Sequence, residues 1–282
     1  MAVIALTSLC GAPGVTTTAL AWSARSTRPT LIVEADVTGG SPILAGGLAG
    51  ARAHDRSLLT LATTDPVDYV DAIWREAIAL PQARSDRWVL PAIGRAIQEE
   101  AMRPVWPRLA AVLRDISVDT HVDVLVDAGR LGAAGSPWPL IAAADIVLLL
   151  VDATLPALNT LQAALPALRV DVQHAGPSTR LVVVPVVAGP ASGGVLPWAG
   201  DGPLADVRPY TGTEIAAVTA PTAVLASIPH APARAAVYAH ARPPKLGHEH
   251  CRYVRAVDRL IGAAGDHVRT QQRLLATKGA AR

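Results

Sequence analysis

The sequence predicts an α/β fold: a doubly wound, mainly parallel sheet with helices on both faces. Three observations carry this. Short runs rich in Val, Ile and Leu recur along the chain without polar alternation, as in strands covered on both faces. Stretches of helical spacing separate them, and β-α-β alternation is how parallel sheets are built. Hydrophobic residues make up 51% of the chain and charged residues 17%, which supplies a large core and argues against disorder.

In chain order, "AVIALTS" reads as the first strand and "TTALAWSARS" as a helix after it. "TLIVEAD" is the second strand. Residues 65–119 are more polar and read mainly as helices ("DPVDYVDAIWREAIAL", "IGRAIQEEAM", "VWPRLAAVLRDI"). "VDVLVDAG", "DIVLLLVDA", "RLVVVPVV" and "TAVLASIP" are further strands. Between "DIVLLLVDA" and "RLVVVPVV", Leu158, Leu161, Leu165 and Leu168 fall at helical spacing. Residues 188–203 read as a loop from their Gly and Pro content. From Cys251 to Ala276 a last helix places Val254, Val257, Leu260, Ile261 and Val268 on one stripe. No clear linker divides the chain, so the expectation is one domain over 1–268 and a basic tail over 269–282.

Composition narrows the function. The net charge of +2 over 282 residues gives no strong grip on nucleic acid, although a local basic patch stays open. Two cysteines, Cys10 and Cys251, make neither a disulfide framework nor an ordinary zinc site. No apolar run reaches the roughly 18 residues of a membrane span. The N-terminal apolar stretch lacks a basic leader region, so a cytoplasmic protein is expected. Phe is absent and the lysines are Lys245 and Lys278, so Arg carries nearly all positive charge.

The chemistry-bearing stretch is "SLCGAPGVTTTAL", Ser8 to Leu20. A phosphate loop works because successive backbone N–H groups converge on anionic oxygens at a helix N-terminus. A lysine commonly adds charge on the phosphates, and a Ser or Thr hydroxyl binds Mg²⁺. Here Gly11, Ala12, Pro13 and Gly14 can form the turn. Thr16 stands where the metal-binding hydroxyl belongs, followed by Thr17. Val15 stands where the lysine belongs.

The stretch resembles the deviant Walker A loop, KGGxGKTT, of the ParA/MinD-type P-loop ATPases. In that register Cys10 replaces the family's signature lysine and Val15 the common Walker lysine. The chain would then be a degenerate member. "TLIVEADVTGGS" resembles the family's second-strand motif: Asp36 matches the aspartate that positions the attacking water, and Glu34 replaces the first aspartate. "DVLVDAG" resembles the Walker B strand, with Asp127 as the acid of the Mg²⁺ site. "TAVLASIPHAPAR" resembles the base-side loop, which brings in Pro229. The family's adenine-binding asparagine has no counterpart in "LVVVPVV". The resemblance therefore implies Gly11, Ala12, Pro13, Gly14, Val15, Thr16, Thr17 and Pro229 around a nucleotide, with Thr16, Asp36 and Asp127 at Mg²⁺ and Asp36 as the catalytic group. The implied cofactor is Mg-ATP, and the implied assembly is a homodimer with protein partners. DNA or a membrane surface is open as a partner but is not indicated by charge.

Each residue also has a plainer reading. Strand-end aspartates such as Asp36 and Asp127 often only cap the next turn. "HEHC", His248 to Cys251, has ligand-type residues, but their adjacent spacing favours surface polarity, with His230 and His240 nearby. The six tryptophans read as core or interface anchors. The tail "RTQQRLLATKGAAR" has too small an apolar face for firm membrane anchoring; a peripheral membrane location is implied only by its likeness to MinD tails.

Two functions follow from the resemblance. One is a non-catalytic or weakly active scaffold that positions a partitioning, secretion or pilus machine. The other is an ATP-dependent dimeric switch in partitioning or cell-pole positioning, with Arg25, Arg130 or Arg234 replacing the lost lysines. A third reading has the pocket take another anion or a partner's acidic segment.

Overall fold

The computed structural model describes residues 2–11, 13–80, 86–132, 135–175, 180–188 and 210–280. The chain starts with β1 (Val3–Ser8), the loop 9–14, α1 (Val15–Arg25) and β2 (Thr30–Glu34). A π-helical turn (Ile43–Gly47) and two 3-10 turns (Leu58–Thr63 and Pro66–Asp68) lead into α2 (Tyr69–Glu76), β3 (Ile78–Ala79) and β4 (Arg87–Leu90). Then come α3 (Glu99–Met102), α4 (Val105–Asp119), β5 (Asp123–Arg130), α5 (Trp138–Ala143), β6 (Ile146–Asp152) and α6 (Leu155–Ala175). The remaining elements are β7 (Leu181–Val187), α7 (Gly212–Thr219), β8 (Ala223–Val224), β9 (Ile228–Pro229), α8 (Pro232–Ala239) and α9 (Arg252–Ala280).

The sheet runs β3-β4-β2-β5-β1-β6-β7-β8, with β9 also on β7. Every pairing is parallel except β3 with β4. Side chains alternate across a strand, and here each face packs on helices. Val3, Ala5, Leu31, Val33, Val124, Val126, Val147 and Leu149 join one apolar cluster with α2, α4, α5 and α6. Ile4, Leu6, Ile32, Leu125, Leu148, Leu150, Val182 and Val184 join the other with α1, α8 and α9. Cover on both faces is why these strands read as unbroken apolar runs. Leu158, Leu161, Leu165 and Leu168 are buried as the spacing predicts, as are Val254, Val257, Leu260 and Val268.

Two expectations need correction. Residues 65–119 hold more than helices, because β3 and β4 form an edge pair and β4 lies parallel to β2. The first residue of β4 is Arg87, a fully buried cation. Its guanidinium donates to the carbonyls of Ser23 and Ser26 at the end of α1 and pairs with Asp86. "TAVLASIP" is two short strands, not one. The loop expected over 188–203 lies, apart from residue 188, outside the described residues. α9 runs through residue 268 without interruption. Among the described residues no helix is long and apolar enough to cross a membrane.

Candidate functional site

In open parallel sheets, ligands bind at the carboxyl ends of the strands, where neighbouring crossovers diverge. β1 occupies that position, between β5 and β6. The loop after β1 turns into α1 at Gly14, whose φ of +86° and that of Gly11 at +68° suit glycine. Gly14 caps α1, and its carbonyl accepts the Thr18 N–H at 2.8 Å. Pro13 is buried between them, while Ala12 lies outside the described residues.

Thr16, Asp127 and Asp36 come together below this loop. The Thr16 hydroxyl lies near enough to the Asp127 carboxylate to favour its charged form, and that carboxylate accepts the Gly129 N–H at 3.1 Å. Asp127 is 2% exposed; burial, together with the negative charge of Asp36, pushes its pKa up to about 6. Asp36 accepts the Thr38 N–H at 2.9 Å and the Thr38 hydroxyl at 2.8 Å. It therefore caps its own turn, as the plain reading has it, and its charge also acts on Asp127. Thr17 lies with Thr16 on the wall of a cavity of about 480 Å³, which Leu20, Pro42, Gly46 and His240 also line.

The positions expected to carry lysines are packing positions. Val15 is 7% exposed and belongs to the apolar cluster under α1. Cys10 is half-buried against the opposite cluster. Asp152, at the end of β6, stands beside the loop: a Cβ on Gly11 would lie 3.4 Å from its Oδ2. The loop thus has a third carboxylate nearby, in addition to Asp36 and Asp127.

The three candidate arginines separate. Arg25 sits about 15 Å along α1 from the loop, bonded through Nε and Nη2 to Asp258 at 2.9 and 3.1 Å and paired with Glu249. It does not serve the loop. Arg234 is half-buried on α8, and its charge acts on His248. Arg130 is exposed at the end of β5, its backbone beside Ser8, where the loop begins. Pro229 is buried in β9 and pairs with Val187.

Two residues play parts that differ from their sequence reading. Glu34 is 1% exposed and accepts from the Ser41 hydroxyl, the Ile43 N–H at 3.1 Å and the Ala92 N–H at 3.4 Å. Burial pushes its pKa up to about 8, so it is mostly protonated at neutral pH. It braces the corner that supplies the cavity wall at Pro42 and Gly46. His248 is the other: it is 3% exposed, with Nε2 3.4 Å from the Tyr238 hydroxyl, so the surface reading of "HEHC" fails for it. His240 and His250 are exposed and His230 half-buried. Among the described residues no three His, Cys, Asp or Glu side chains are placed to hold a metal.

The donors present do suit Mg²⁺ in kind. This ion takes oxygen ligands, keeps several waters and needs only one or two carboxylates. Thr16, Asp36 and Asp127 provide those oxygens.

No protein-family model and no curated protein sequence matches the chain. Solved structures match it along nearly its whole length. The septum site-determining protein MinD of Pyrococcus horikoshii, complexed with Mg-ADP, is 14% identical with a TM-score of 0.63, covering 92% of this chain and 93% of its own. A Cyanothece McdA variant in complex with ATP is 19% identical with a TM-score of 0.64, covering 93% and 96%. A ParA family ATPase from Chlorobium tepidum is 14% identical with a TM-score of 0.61, covering 91% and 96%. The chain has the P-loop α/β fold of the MinD, McdA and ParA ATPases.

Proposed function

We propose that the chain is a ParA/MinD-like positioning or scaffold protein whose nucleotide site is degenerate, leaving it non-catalytic or weakly active. The observation that carries this is Val15: the loop's expected cation is an apolar side chain buried in the core, and Asp152 adds negative charge beside the loop. A lost charged donor to phosphate costs about 1.5–3 kcal/mol in binding. Phosphoryl transfer depends mainly on electrostatic stabilisation, so the cost to turnover is greater. The likeness to proteins named as septum-site and ParA ATPases supports a positioning role, with a homodimer and protein partners as its assembly.

If Mg²⁺ and nucleotide bind, Thr16, Asp36 and Asp127 would hold the ion, which would neutralise phosphate charge, and the N–H groups around Gly11–Gly14 would hold the phosphates. Asp127, raised to about 6, is mostly ionised at neutral pH and would lose its hold on the ion as pH falls through 6. Asp36 would orient water through the oxygen it does not give to Thr38.

Thermal unfolding with and without Mg-ATP, Mg-ADP and a non-hydrolysable analogue tests the reading. A ligand at 100 times its Kd stabilises by about 2.7 kcal/mol. The expected result is a small or absent shift at millimolar nucleotide and no steady turnover. A large shift removed by Thr16→Ala, with turnover, would overturn it in favour of an ATP-dependent dimeric switch. Arg130 at the loop's edge is the observation that favours this second reading. It calls for turnover that rises with protein concentration and is abolished by Asp36→Ala.

A further inference from the structure

A second cavity, about 190 Å³, opens at the other edge of the sheet, where β7 and β8 begin. It is about 20 Å along the strands from the loop. Its walls come from four elements that sequence keeps far apart. Arg169 and Gln173 project from α6, Arg180 precedes β7, Thr222 precedes β8, and His267 comes from α9. None of the described residues lining it is acidic.

Two of the polar groups here, on Thr222 and His267, have no hydrogen-bond partner among the described residues. Thr222 is 8% exposed, and its hydroxyl has no hydrogen-bond partner among the described residues. A buried hydroxyl left unmatched costs about 1–3 kcal/mol. The Nε2 of His267 is likewise buried and unpartnered. Arg180 is anchored through Nε to Gln271 of α9 at 2.8 Å, which fixes the plane of its fork. Desolvation and the charge of Arg180 lower the His267 pKa, so the ring lies within the field of that guanidinium. Two guanidinium groups, a hydroxyl and an imidazole nitrogen around one hollow form an anion-binding donor set, and Arg forks match tetrahedral oxyanions bidentately. A volume of about 190 Å³ is about six times a water's share of liquid volume. That is room enough for a phosphate group with a small ester group beside it.

We propose that this cavity is a binding site for a phosphate-class oxyanion, either inorganic phosphate or the phosphate of a small monoester, held by Arg169, Arg180, Thr222 and His267. The site is separate from the loop after β1 and does not depend on that loop's function. The competing account is that Arg169 and Arg180 only balance the partial negative charge at the C-terminal end of α6. That account leaves the Thr222 hydroxyl unexplained.

Calorimetric titration of the full chain tests the proposal. Sodium phosphate is the probe, glycerol phosphate the monoester arm, and acetate and chloride at matched ionic strength the controls. The expected result is saturable, one-to-one phosphate binding, weakened at least ten-fold by Arg169→Gln and several-fold by Thr222→Val, and unchanged by Thr16→Ala. Tighter binding of glycerol phosphate identifies a monoester; equal or weaker binding identifies inorganic phosphate. Thr222→Val keeps shape and should unfold at or above the wild-type temperature without phosphate, which guards against simple misfolding. The proposal fails if phosphate binds no better than matched chloride. It also fails if binding survives both Arg169→Gln and Thr222→Val, or is lost in Thr16→Ala.

Discussion

Asp36 rests on the backbone of Gly129: a Cβ at Gly129 would overlap the Asp36 carboxylate. Gly129 also has a φ of +57° and follows Asp127 by two residues. The strand carrying one acid of the site thus leaves room for the other. Gly129→Ala should cost about 2–4 kcal/mol, from left-handed backbone and from overlap. Asp36→Ala removes most of the overlap, so the double variant should recover part of the loss. Urea denaturation of the four proteins gives the coupling; additive effects would contradict the contact.

Glu34 and Asp127 should make stability fall as pH rises. Burial lifts both folded-state pKa values, to about 8 and about 6, above those of the unfolded chain. The folded state therefore holds these protons more tightly, and its advantage fades as pH climbs through 6 and then 8. Glu34→Gln carries no proton there. Relative to wild type it should gain on the order of 4 kcal/mol between pH 5 and pH 8.5. Parallel melting curves across that range would show the assignment wrong.

Val15→Lys tests whether the loop's backbone can hold a phosphate once a cation is supplied. Val15 is buried, so the variant should lose about 1–3 kcal/mol without ligand. Mg-ATP should then stabilise it by more than it stabilises wild type. A variant equally indifferent to nucleotide would place the defect in the backbone or in Asp152.

Arg87→Met should be among the most damaging single changes. It strips the last carbonyls of α1 of their donor and removes the cation paired with Asp86. Breaking such a buried set costs about 3–5 kcal/mol, readable as a lower denaturation midpoint. Arg87→Lys should recover little, because one ammonium cannot span Ser23 and Ser26 as the planar fork does.

The central strands were legible because burial on two faces forces unbroken apolar runs, as in "VLLLV" of β6. The nearness of Thr16, Asp36 and Asp127 was legible because a loop after one strand and the ends of two others meet at the same edge of a parallel sheet. β4 was not: it is four residues long and begins with Arg87, whose burial makes sense only once the end of α1 lies over it. His248 was misread because adjacent His, Glu, His and Cys look hydrophilic, whereas the ring is enclosed by Tyr238 from another helix. Asp152 and Gly11 are far apart in the chain, and only the pairing of β1 with β6 brings them together.

The fork of Arg25 on Asp258, with Arg87 at the same end of α1, fixes that helix to α9 at one end while the loop grows from the other. α1 then acts as a pushrod with no joint along it. The loop and the first turns of α9 thus sit at the two ends of one short helix.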